Sequence, residues 1–179
     1  MSLEFFGHPF SSYTQKVLIA LWADGTDFNY RMIDPDHPEN AEELKRHSPF
    51  GMFPLIIDDG RPVFESTPII EHLQAHHPGP NTWIPDGEQG RSARFLDRFF
   101  DLYVMGNMQK AGNDILRPEG NRDPFGVEKA RADLNIAYDW LETNLGNGPW
   151  AVGQDFSLAD CAAAPSLFYA DWVEEIGPG

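Results

Sequence analysis

One stretch, Ser48 to Leu73, restricts this chain more than any other: SPFGMFPLIIDDGRPVFESTPIIEHL. Phe53-Pro54-Leu55-Ile56-Ile57 and Val63-Phe64 are apolar runs with β-branched and aromatic content, and Asp58-Asp59-Gly60-Arg61 between them carries the Asp-Gly signal of a tight reversal. Residues 53–64 therefore predict a β-hairpin. Glu65-Ser66-Thr67-Pro68 follows, ahead of Ile69, Ile70 and Leu73 at helical spacing. That predicts a helix with a hydroxyl at its N-cap and Pro68 in its first turn, where the missing N–H costs nothing. A helix start has unpaired N–H groups and a partial positive charge, so it can hold a small carboxylate, with Ser66 as a further donor and Glu65 able to meet an ammonium. The plainer alternative is that Ser66 or Thr67 only caps the helix.

The flanking segments extend this pattern. Leu3-Glu4-Phe5-Phe6-Gly7 predicts a short strand, His8-Pro9-Phe10 a turn, and Ser11-Ser12-Tyr13-Thr14 the start of an apolar helix ending near Gly25. Phe28, Tyr30 and Met32 alternate as in a strand, Pro35 and Pro38 break it, and Glu39 to His47 forms a short polar helix. The first half thus predicts the order βαβαββα. Pro78-Gly79-Pro80-Asn81 and Pro85-Asp86-Gly87 cluster helix breakers, which divides the chain into residues 1–78, a linker over 79–87 that Trp83 and Ile84 pin down, and residues 88–179.

The second half is helical throughout. Residues 88–117 place Phe95, Phe99, Leu102 and Tyr103 on one side and Leu96, Phe100 and Val104 on another, so that helix buries more than one face, with Asp97 and Asp101 expected in solvent. Asp123-Pro124 starts an amphipathic helix through Val127, Ala130, Leu134, Ala137, Tyr138 and Leu141. Ser157 and Asp160 form a capping box ahead of a small-residue helix, in which Pro165 predicts a bend or an early stop. The fold class is α/β followed by an all-α helical bundle.

Charge narrows the partners. The net charge is −15, with 5 basic against 12 acidic groups before Gly79 and 8 against 16 after it. Neither half can neutralise phosphates, which excludes nucleic acid and argues against anionic membranes. No run of about 18 apolar residues exists, and Met1-Ser2-Leu3-Glu4 lacks a signal peptide's basic start and apolar core, so a cytoplasmic location is the expectation. One cysteine, Cys161, rules out an internal disulfide or a paired-cysteine redox motif. His8, His72, His76 and His77 show no metal-ligand spacing, and no metal is expected.

A proline-ended loop, a hairpin and Glu-Ser opening a helix, preceded by βαβα and followed by a capped helical half, resembles the glutathione S-transferase family across essentially the whole chain. The resemblance implies a thioredoxin-like N-terminal domain that binds glutathione as co-substrate. It implies that Pro54 is cis, that the Phe53 backbone pairs with the cysteinyl part, and that Glu65 and Ser66 hold the γ-glutamyl end. In serine-type classes the thiol-activating residue lies four before a Gln/Trp-Arg/Lys-Val segment, so Gln15-Lys16-Val17 points to Ser11, with Ser12 and Tyr13 as alternatives. Ser11 or Ser12 as a mere helix cap is the competing reading. Phe5 and Phe6 stand where tyrosine-type classes carry their phenol.

The same resemblance implies a homodimer, with Phe50 as an aromatic key, and a small hydrophobic electrophile held by Phe10, Tyr103, Met105 and Met108. His47 is favoured over Lys45 and Arg46 for the glycyl carboxylate. Two positions depart from the family: Met52 replaces a Lys or Gln, and Phe53 a Val, before Pro54. The Gly177-Pro178-Gly179 end falls earlier than is usual, implying a truncated chain or an open electrophile pocket. The expected activity is conjugation of glutathione to the electrophile; a non-catalytic binding module and a glutathione-dependent isomerase or dehalogenase are the alternatives.

Overall fold

The computed structural model describes residues 2–176; the expectation attached to Gly177-Pro178-Gly179 lies outside them. The chain divides into two compact units, Met1–Pro85 and Asp86–Gly179. The first runs β1 (Leu3–Gly7), α1 (Ser12–Asp24), β2 (Asn29–Met32), α2 (Pro38–His47), β3 (Leu55–Asp58), β4 (Arg61–Phe64) and α3 (Ser66–His76), the expected βαβαββα.

Its sheet has the order β2-β1-β3-β4, with β1 parallel to β2 and antiparallel to β3. Both faces are covered, which is why Phe5 and Phe6 are adjacent in β1 and both fully buried. Phe6, Leu55 and Ile57 pack with Leu44 of α2, while Phe5 stacks on Tyr30. β3 begins at Leu55 rather than at the expected Phe53, because Pro54 has no N–H to give a ladder. Pro62 lies in β4, an edge strand, where a missing donor is tolerated. Gly7 has a steric reason: a Cβ there would lie 2.6 Å from Thr14 Cγ2, so only glycine lets β1 run this close to the first turn of α1.

Residues 79–85 belong to this unit. Asp24, the last residue of α1, accepts from Asn81 N at 3.1 Å, Asn81 Nδ2 at 2.8 Å and Trp83 Nε1 at 2.8 Å. Ile84 N donates to Gln74 Oε1 at 2.8 Å, and Trp83 is fully buried.

The second unit contains α4 (Gly87–Phe99), a π-helical segment (Phe100–Met105), α5 (Gly106–Asp114), a 3₁₀ turn (Glu119–Asn121), α6 (Pro124–Asn144) and α7 (Leu158–Ala170). Of the two faces expected to be buried over residues 95–104, only one is: Leu96, Phe100 and Val104 are in the core, whereas Phe95, Leu102 and Tyr103 are exposed and Phe99 alone of their side is buried. Leu96, Phe99, Phe100 and Val104 pack there with Leu134, Ala137 and Leu141 of α6 and Ala159 and Ala162 of α7. Asp97 and Asp101 are buried, contrary to expectation. Asp97 lies four residues after Ala93 and three before Phe100, so it falls on the inward stripe despite its charge. α7 also continues through Pro165 rather than stopping there.

Asp160 does more than cap. Its Oδ2 accepts from Ser157 N at 2.9 Å and Ser157 Oγ at 3.0 Å, and its Oδ1 accepts from Ala151 N at 2.7 Å. Asp160→Ala strands two backbone donors, one of them buried, and is expected to cost about 2–3 kcal/mol of stability, read as a lower urea midpoint at unchanged slope.

Candidate active site

Strand register brings three distant segments together. Phe6 of β1 lies opposite Leu55 of β3, and Leu55 opposite Phe64 of β4. The end of β1, the start of β3 and the end of β4 therefore meet at one end of the sheet. The segments attached there are the His8–Ser11 turn leading into α1, the Phe53–Pro54 loop end, and Glu65–Ser66 opening α3.

Ser11 is the N-cap of α1, with φ −85° and ψ 124°, and its Oγ accepts from Thr14 N at 3.2 Å. The bond uses a lone pair, so the hydroxyl proton stays available to an acceptor beyond the helix end. Ser12 is buried, 6% exposed, as the first residue of α1, and Tyr13 is half-buried beside it. The Phe53–Pro54 peptide is cis, and among the described residues the Phe53 N–H and C=O enter no turn or loop hydrogen bond.

Glu65 departs from the expected capping. It is itself the N-cap of α3, at φ +73° and ψ 128°, and its side chain makes no cap bond. A non-glycine residue in that region costs about 1–3 kcal/mol and marks positions held for a reason other than stability. Because the chain turns at Glu65, Ser66 and Thr67 lie inside the first helical turn, and neither is a cap. Ser66 is 5% exposed, with its hydroxyl bonded to nothing among the described residues. Thr67 Oγ1 accepts from Lys16 Nζ at 3.0 Å, and Lys16 is 1% exposed. That buried lysine ties α1 to α3 directly behind the two helix starts, a role that the Gln15-Lys16-Val17 signal did not reveal.

Residues 5–81 match the family described as Glutathione S-transferase, N-terminal domain, and residues 124–175 match Glutathione S-transferase, C-terminal domain. The chain belongs to the glutathione S-transferase family. Its relatives in that family include a probable maleylacetoacetate isomerase of Caenorhabditis elegans, 28% identical over 90% of this chain and 75% of that one. Glutathione S-transferase F6 of Arabidopsis thaliana is 26% identical over 93% of this chain and 83% of that protein. Among solved structures, a glutathione S-transferase from Methylobacillus flagellatus with glutathione bound superposes with a TM-score of 0.83 at 26% identity, covering 96% of this chain and 84% of that one.

Within this transferase fold, other expected site residues are placed less simply. His47 ends α2 and its Nε2 lies 3.0 Å from Glu43 Oε1, a contact that holds the Glu43 carboxyl below its usual range. Met52 is exposed and its N–H donates to Ser48 Oγ. Met105 is corrected: it is 1% exposed, a core side chain, because the π-helical segment turns it inward. Met108 packs against the core of the helical unit, whereas Tyr103, 55% exposed, lines an open groove of about 480 Å³ with Phe99, Ile136, Trp140, Lys110 and Asp133. Phe10, 77% exposed, belongs to the first unit.

One cluster was missed. Asp58 Oδ2 lies 2.8 Å from His72 Nε2 and 2.9 Å from His77 Nε2. The histidines are five apart and the carboxylate fourteen residues before the first, a spacing with no motif behind it; only the packing of α3 on β3 creates it.

Proposed function

We propose that this chain is a glutathione transferase: it binds glutathione where α1 and α3 begin, stabilises the thiolate through the Ser11 hydroxyl, and conjugates it to a small hydrophobic electrophile. The observation that carries this is the half-used Ser11 hydroxyl, positioned by its own cap bond at the sheet end that Phe53–Pro54 and Glu65–Ser66 share. A cysteine-type thiol has a pKa of about 8.5 and is a few per cent ionised at neutral pH. A hydrogen bond to the thiolate contributes about 1.5–3 kcal/mol, and about 1.4 kcal/mol is one pKa unit, so Ser11 supplies about one to two units.

The other groups divide the ligand between them. Glu65, exposed at the α3 N-cap, meets the γ-glutamyl ammonium, and the unengaged Ser66 hydroxyl with the α3 N–H groups meets its carboxylate. The open Phe53 backbone pairs with the cysteinyl residue, and His47 takes the glycyl carboxylate in exchange for its Glu43 contact. Tyr103, exposed in the groove of the helical unit, is the expected apolar residue left available to the electrophile.

We assign the protein to the cytoplasm, where glutathione is reduced, and to a homodimer that would cover Phe50 and Met52, 82% and 64% exposed. Among the described residues no helix is long and apolar enough to cross a membrane. The test is an ultraviolet titration of glutathione bound to the wild-type protein. Thiolate absorbance should appear with a midpoint clearly below 8.5; a midpoint at the free value, or no binding, rejects the transferase reading. A second reading, glutathione-dependent isomerisation, is favoured by the likeness to the probable maleylacetoacetate isomerase. Conjugation consumes the thiol and isomerisation returns it, so counting free thiol after turnover separates the two.

A further inference from the structure

We propose that Asp58, His72 and His77 bind one divalent transition-metal ion of the zinc type, at the end of the sheet away from the proposed glutathione groups. Asp58 is the last residue of β3, and both histidines come from the C-terminal part of α3, His77 being its C-cap. Both imidazole Nε2 atoms lie against the same carboxylate oxygen, at 2.8 and 2.9 Å, and the three candidate ligand atoms all lie within 4.8 Å of one another. The side chains are 12%, 9% and 15% exposed for Asp58, His72 and His77, so they form a recessed cluster rather than a solvated surface group.

The donor set selects the ion. Two neutral imidazoles and one carboxylate suit zinc, cobalt, nickel or copper, whereas magnesium and calcium prefer oxygen ligands. A tetrahedral ion with bonds of about 2.0–2.2 Å holds its ligand atoms about 3.3 Å apart, so each imidazole withdraws from Asp58 by about 0.5 Å and the two Nε2 atoms, within 4.8 Å of each other, settle at that same spacing. Water completes the shell. A cavity of about 390 Å³ beside His77, lined also by Asp24, Asp27 and Thr26, gives ion and water an entry path, and its carboxylates together with the net charge of −15 concentrate cations there. His76 stays outside, with its ring 4.3 Å from that of His72.

The ion's role follows from position. β3 has Leu55 at its glutathione end and Asp58 at the other, about 10 Å apart along the strand. The metal is therefore remote from the thiolate and acts as a clamp between β3 and α3, the helix that also carries Glu65 and Ser66.

The test uses the full chain without an affinity tag and without glutathione, so its outcome is independent of the transferase reading. Calorimetric titration with zinc chloride, and with cobalt chloride followed by visible absorption, should show one ion per chain and a raised thermal midpoint that a chelator reverses. His72→Ala and His77→Ala should each weaken binding at least about tenfold, while His76→Ala should leave it unchanged. Imidazole nitrogen resonances of the wild-type chain supply a readout that needs no variant: zinc must shift those of His72 and His77. Absence of saturable binding, wild-type affinity in both variants, or shifts confined to other histidines overturns the proposal.

Discussion

Replacing Ser11 by alanine is expected to move the thiol pKa of bound glutathione up by about one to two units and to leave glutathione affinity nearly unchanged at pH values below the wild-type bound pKa, where the bound thiol is protonated. The hydroxyl contacts only the sulfur in the proposed complex, so binding of the peptide ends survives. Below the wild-type pKa the thiolate fraction falls about 10- to 100-fold, but the more basic thiolate is more nucleophilic, with a Brønsted slope of about 0.4–0.5. The net loss in kcat/KM near pH 6.5 is then about 3- to 10-fold, shrinking and reversing at high pH. A uniform loss across the pH profile would instead mean a structural defect.

That distinction matters because Ser11 has a second job. Its Oγ caps α1 by accepting from Thr14 N, and loss of an N-cap costs about 1 kcal/mol of stability. Ser11→Gly separates the two roles, since glycine at an N-cap costs only a few tenths of a kcal/mol. The glycine variant should match alanine in thiol pKa and exceed it in thermal midpoint. If neither variant changes the thiol pKa, Ser11 is a cap and nothing more.

The second large effect is at Glu65, where stability and binding should move in opposite directions. Its φ of +73° is tolerated by glycine without the Cβ penalty, so Glu65→Gly should relieve part of the roughly 1–3 kcal/mol of strain, offset by greater freedom of the unfolded chain. The same change removes the carboxylate proposed to meet the γ-glutamyl ammonium. A charged hydrogen bond of about 1.5–3 kcal/mol corresponds to about a 10- to 100-fold loss of glutathione affinity. Glu65→Gln keeps the side-chain length and the strained backbone and removes only the charge, so it should weaken binding with little change in stability. Calorimetry with glutathione and urea unfolding on both variants checks the pair. A glycine variant that binds as tightly as wild type would remove Glu65 from the site.

The contrast between Ser11 and Ser66 shows how far local reading extends. Both are serines at a helix start, and each had a capping alternative. At Ser11 the chain enters the helix in an extended conformation and the cap forms, as its position among Ser-Ser-Tyr-Thr indicates. At Ser66 the preceding residue adopts a positive φ, which moves the N-cap to Glu65 and leaves the Ser66 hydroxyl unengaged. No residue type in Glu-Ser-Thr-Pro announces that turn. It depends on where β4 ends and how α3 packs.

What the chain's own pattern determined is the set of short-range features: the Asp59-Gly60 reversal, the βαβαββα order, the Asp123 cap and the Ser157–Asp160 capping box, and through them the family. Each rests on residues within about one helical turn or one hairpin of each other, where spacing and geometry are nearly the same thing. Tertiary structure alone decided the rest. It buried Asp97 on the inward stripe of α4 and Asp101 and Met105 in a π-helical segment, linked Lys16 to Thr67 across 51 residues, and brought His72 and His77 onto Asp58. Those outcomes depend on strand register and helix packing, in which segments distant in the chain become neighbours because they share a buried apolar face, and polar side chains meet as a consequence.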